Sequence, residues 1–111
     1  MIANQPPETD VHGARALVEQ GATYVDVREP SEWAEGHVGG AVHLPLGELD
    51  PARLPDGPLV MVCRSGNRSG RAAAALLAAG RSDVTNMAGG MLAWQAAGLP
   101  VSHDAAGEGS A

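Results

Sequence analysis

Lysine and phenylalanine are both missing from this 111-residue chain. Without lysine, all seven positive side chains are arginines, set against thirteen carboxylates, and the net charge is −6. An acidic chain with no basic stripe suits neither nucleic acid nor an anionic membrane surface. Without phenylalanine, the large aromatics reduce to Tyr24, Trp33 and Trp94, so alanine, valine and leucine must fill the core. Cysteine occurs once, at Cys63, which excludes an internal disulfide framework and any multi-cysteine metal site. The longest apolar run, Ala72 to Ala79, falls far short of the roughly 20 residues that span a bilayer. Met1 to Pro7 has neither a basic nor an apolar leader region, and a cytoplasmic location is the expectation.

What remains is the length and pattern of one α/β domain. The ends, residues 1–8 and 104–111, are small and polar and read as flexible segments around a domain over 9–103. Thr9 or Asp10 caps a helix to about Gln20, with Gly21 as its stop. Ala22 to Val27 reads as a strand. Pro30 and Ser31 open a short helix that Gly36 ends, and Val42 to Leu46 is a short second strand. Residues 47–53 hold a helical turn or two. Leu59 to Val62 is a continuous apolar strand, and Asn67 to Ala79 a helix closed by Gly80. Val84 to Met87 is a further strand, and Gly90 to Ala97 the last helix, before Gly98 and Pro100. Such alternation predicts a mostly parallel central sheet flanked by helices. Ligands of these sheets bind beyond the carboxyl ends of the strands.

Cys63 lies at such an end. It follows Leu59-Val60-Met61-Val62 and opens Arg64-Ser65-Gly66-Asn67-Arg68-Ser69 at a helix start. Backbone N–H groups and the helix dipole favour an anion there, and a thiolate is the reactive form of cysteine. Three of the seven arginines, Arg64, Arg68 and Arg71, crowd this stretch, a local excess that suits a small anionic substrate.

Three blocks in this order resemble the single-domain form of the rhodanese family. They are Val25-Asp26-Val27-Arg28-Glu29-Pro30 running through Glu32-Trp33 to Leu44-Pro45, then Cys63 to Ser69, then Met87-Ala88-Gly89-Gly90 to Trp94 and on to Val101. The likeness covers roughly residues 10–102. It implies a rhodanese-like three-layer fold and a sulfurtransferase that forms a persulfide on Cys63. Thiosulfate is the implied donor, and a thiol or a thioredoxin-type protein a suitable acceptor. No cofactor and no metal are expected. In the family the Asp26-x-Arg28 element sits beneath the active-site loop, where a structural brace is its expected role.

In the loop, the N–H groups from Arg64 to Ser69 are expected to face the sulfur, Gly66 to permit the turn, and Ser69 to cap the helix or donate its hydroxyl. Arg64 and Arg68 suit the charge of a thiosulfate-like donor. The tyrosine phosphatases use Cys-x5-Arg, whereas here the spacing is Cys63-x4-Arg68. The smaller ring favours one sulfur atom over a tetrahedral oxyanion and disfavours a phosphatase or arsenate reductase. A sulfur carrier or docking module, loaded by a partner protein, is the other reading compatible with one cysteine. His37 and His43 stand six apart, a spacing of no common metal motif, and are expected to be structural. Trp33 and Trp94 are expected to anchor the core.

Overall fold

A computed structural model describes residues 5–103. Five strands form one parallel sheet: β1 (Glu8–Thr9), β2 (Thr23–Asp26), β3 (Val42–His43), β4 (Leu59–Val62) and β5 (Val84–Met87), in the order β1-β5-β4-β2-β3. Three helices lie between strands, α1 (Val11–Glu19), α2 (Pro30–Ala34) and α3 (Asn67–Ala78), and α4 (Gly90–Ala96) follows β5. The expected α/β architecture with a parallel sheet is present.

β4 lies at the centre of the sheet, and all four of its residues are buried. Side chains of a strand alternate between faces. Val60 and Val62 join the layer that holds α1 and α4, with Tyr24, Trp33, Met91 and Trp94. Leu59, Met61 and Cys63 join the layer under α3, with Ala72, Ala73 and Leu76. The alternation that builds the core thus aims the one thiol at the side on which α3 begins. The alanines of α3 let that helix lie close over the sheet.

The helix boundaries follow their caps. Asp10, not Thr9, caps α1, its carboxylate accepting from the Gly13 N–H at 2.8 Å. Pro30 occupies the first turn of α2, where its missing N–H costs nothing, and Glu32 accepts from the Glu29 N–H at 3.0 Å. Two strands are shorter than their apolar runs. β2 stops at Asp26, and β3 covers only Val42–His43 because Leu46–Glu48 winds into a 3-10 turn after Pro45.

Glu8 departs from the expectation of a loose N-terminal segment over residues 1–8. It pairs with Asn86 in β1, and the Pro7 carbonyl accepts from the Asn86 N–H at 2.8 Å. Two residues are too few to leave a periodic signal. The rest of that expectation, over residues 1–4, and the tail over 104–111 lie outside the described residues.

Candidate active site

Cys63 sits one residue past β4 and has no exposed surface. The chain turns back at once. Gly66, with φ of +95°, caps α3 in the left-handed region that favours glycine, as the sequence predicts for this turn. This bend brings the Gly66 N–H to 3.0 Å and the Ser69 hydroxyl to 3.3 Å from the Cys63 sulfur. Burial pushes the thiol pKa up. The Ser69 hydroxyl and the N–H groups of Ser69, Gly66 and Ser65 outweigh it together and hold the pKa below the ordinary thiol value. Of the loop donors, the Gly66 N–H and the Ser69 hydroxyl stand within hydrogen-bond reach of the sulfur, while Arg64, Ser65 and Asn67 expose their side chains. Such donors stabilise a charged sulfur in a site closed to water.

The next turn of the fold pins the loop. The Cys63 carbonyl accepts from the Met91 N–H at 2.8 Å, and the Arg64 carbonyl from the Leu92 N–H at 3.0 Å. Gly90, with φ of +56°, makes this possible, because a Cβ there would overlap the Cys63 carbonyl oxygen and stand 2.6 Å from that of Arg64. Asn86 of β5 reaches the loop from beneath. Its Nδ2 donates to the Gly66 carbonyl at 3.0 Å, and its Oδ1 accepts from the Ser69 hydroxyl at 2.6 Å. Sequence reading missed Asn86. Its only signal is an amide side chain within an apolar strand.

The three arginines near the site have separate environments. Arg28 is buried against Asp26, with Nη2 2.9 Å from Oδ2, and also donates to the Gly36 carbonyl at 2.8 Å. This ties the end of β2 to the end of α2. Arg68 is gripped by both oxygens of Glu32, at 2.7 and 2.8 Å, across the gap between α2 and α3. The Arg68 hydrogen bonds pull the Glu32 pKa down to about 2, although burial opposes them. The Arg68 guanidinium is thus committed to a carboxylate, which sequence reading, with Arg68 as a donor-binding group, did not anticipate. Arg64 is exposed beside a polar cavity of about 230 Å³ that Arg28, Glu32, Glu35 and Gln95 also line.

The rhodanese-like domain model matches residues 10–97. The chain belongs to the rhodanese-like domain family. Its curated relatives include the uncharacterized Synechocystis protein slr1261, 46% identical over 79 residues, or 68% of this chain and 44% of that protein. The thiosulfate sulfurtransferase GlpE of Pseudomonas fluorescens is 43% identical over 93 residues, 81% of this chain and 82% of its own length. The chain thus spans under half of slr1261 but most of this GlpE. Among solved structures, a rhodanese-related protein from Thermoplasma volcanium superposes with a TM-score of 0.80 at 27% identity, covering 88% of this chain and 99% of that one.

The histidines of this rhodanese-like domain have packing partners. His37 and His43 both stack on Trp33, with ring centroids 3.5 and 4.6 Å away. A carbonyl only accepts, so the His37 Nδ1 donates to the Trp33 carbonyl at 2.9 Å and the His43 Nε2 to that of Arg28 at 2.8 Å. Among the described residues no group of His, Cys, Asp and Glu is arranged to hold a metal, and no helix is long and apolar enough to cross a membrane. A larger, mostly apolar cavity of about 370 Å³ opens between Tyr24, Val38, Trp94 and Val101, and none of the predicted site residues line it.

Proposed function

We propose that this rhodanese-like domain is a thiosulfate-type sulfurtransferase that works through a persulfide on Cys63. The observation that carries the reading is the sole thiol held at the end of the central strand, with the Gly66 N–H and the Ser69 hydroxyl directed at its sulfur. Family membership and the likeness to GlpE support the same chemistry. The short Cys63-x4-Arg68 loop supports it over phosphate chemistry, and Arg68 is already engaged by Glu32.

In the first half-reaction the Cys63 thiolate attacks the outer sulfur of thiosulfate. The new S–S bond forms as the bond to the sulfonate sulfur breaks, and sulfite departs with the electron pair. In the second, a nucleophile attacks the outer sulfur of the persulfide and the Cys63 thiolate is regenerated. Cyanide serves in the laboratory, and a small thiol or a thioredoxin-type thiolate is the cellular acceptor we favour. This is covalent ping-pong catalysis, with no external oxidant or reductant. The arc of N–H donors stabilises both the thiolate and the persulfide anion. Arg64 offers positive charge to the anionic donor, and the Asp26–Arg28 pair holds the end of β2 to the Gly36 carbonyl at the edge of the same polar cavity. Because Cys63 has no exposed surface, donor access requires a covering group to move.

Intact mass after thiosulfate treatment tests the proposal. The wild-type chain gains one sulfur atom, and Cys63→Ser gains none and transfers no sulfur to cyanide. A wild-type chain without the adduct overturns the thiosulfate reading. An adduct formed only with a cysteine-desulfurase donor assigns the domain to sulfur carriage.

A further inference from the structure

Asn86 is fully buried at the third position of β5, and a buried carboxamide is costly unless its donors and acceptor are matched. Here they are matched. The two Nδ2 protons go to the Gly66 carbonyl at 3.0 Å and to Glu8 Oε2 at 2.9 Å. Both partners only accept, so the amide has one orientation, with Oδ1 turned to the Ser69 hydroxyl at 2.6 Å. Space has been left for it. A Cβ on Gly70 would stand 3.2 Å from Nδ2. The two groups that Asn86 grips belong to the two residues whose N–H and O–H approach the Cys63 sulfur.

We propose that Asn86 is a positioning residue for sulfur transfer: clamped from outside by the Glu8 carboxylate, its carboxamide holds Gly66 by its carbonyl, so that the Gly66 N–H and the Ser69 hydroxyl are set against Cys63. The proposal rests on the sulfur-transfer reading of Cys63 and extends it to residues that touch neither donor nor acceptor. The Ser69 hydroxyl carries one proton and has two acceptors in reach, Asn86 Oδ1 and the sulfur. Oδ1 competes with the thiolate for that proton, and the positions that the clamp gives Gly66 and the Ser69 oxygen outweigh this competition. Edge strand β1 thereby acquires a role beyond pairing, because Glu8 completes the set of partners that orients the amide.

The test is a pH titration of thiolate ultraviolet absorbance in the full chain. It is optically simple, since Cys63 is the one cysteine and Tyr24 the one tyrosine, and burial pushes the Tyr24 phenol upward, away from the thiol. Asn86→Ala leaves every charge in place, including the Arg68–Glu32 pair beside the loop. It is expected to raise the Cys63 midpoint by about one pH unit and to lower kcat/KM for thiosulfate about tenfold, the scale of one lost hydrogen bond to a charged group. Glu8→Ala moves the midpoint the same way by a smaller step, about threefold in thiolate fraction. Loss of the Glu8 charge alone acts in the opposite direction, so a rise in Glu8→Ala reports positioning. Glu8→Gln, which keeps an acceptor oxygen, restores most of the wild-type midpoint. A folded Asn86→Ala chain with an unchanged or lower midpoint overturns the proposal. If that variant does not fold, the Glu8 pair decides, and a Glu8→Ala midpoint at or below that of Glu8→Gln overturns it. The titration needs no substrate, so its outcome is separate from the persulfide test of the sulfur-transfer reading.

Discussion

Glu32→Gln isolates the charge of the link between α2 and α3. Glutamine keeps the shape and one acceptor oxygen for the Glu29 N–H, so the helix start survives. In the wild type the carboxyl pKa lies at about 2, against about 4.3 for a free glutamate. That gap corresponds to about 3 kcal/mol at face value. The two side chains are 23% and 29% exposed, and solvent screening brings the expected contribution to about 1–2 kcal/mol. The folded-state pKa is depressed, so the stabilisation is fully present above the unfolded value and is lost as pH falls toward about 2. Urea unfolding of both chains should show Glu32→Gln less stable by about 1–2 kcal/mol near pH 7, with most of that difference gone by about pH 3. A difference that stays constant across that range refutes the reasoning, and so does a Glu32→Gln chain as stable as wild type near neutrality.

Gly90→Ala places a methyl group against the carbonyls of Cys63 and Arg64 at a positive φ. It should cost roughly 2–4 kcal/mol in urea unfolding and at least tenfold in sulfur-transfer rate, and a variant that melts and turns over like wild type contradicts this account of the loop. Arg28→Ala leaves the buried Asp26 carboxylate without its guanidinium. A loss of about 3–5 kcal/mol is expected, partly recovered by adding Asp26→Asn, and a loss under about 1 kcal/mol argues against a bracing role.

The parts of the site that sequence revealed are those built from neighbours in the chain. Leu59 to Val62 announces a buried strand, Asn67 to Ala78 a helix, and Cys63 with Gly66 marks the turn between them. Asp26 and Arg28, two residues apart, do form an ion pair, but its further bond goes to the Gly36 carbonyl, which the sequence does not reveal. Contacts between distant segments left no such trace. Arg68 and Glu32 are 36 residues apart, and an arginine beside a reactive cysteine reads as an anion binder until its carboxylate is located. Asn86 and Glu8 are separated by 78 residues, and a strand of two residues has no periodicity to detect. β3 is short for a local reason: Leu44 and Leu46 still donate to the Asp26 and Val27 carbonyls, and the 3-10 turn over Leu46–Glu48 then bends the chain away.

The surroundings of the sulfur come from stretches far apart in the chain, around Glu8, Cys63 to Ser69, Asn86 and Gly90. β4 lies in the sheet between β2 and β5, so long-range pairings bring these stretches together. An unfolded chain therefore carries an exposed thiol of ordinary pKa, without the Gly66 N–H and Ser69 hydroxyl directed at its sulfur. On the sulfur-transfer proposal, a thiol of lowered pKa is thus a mark of finished assembly.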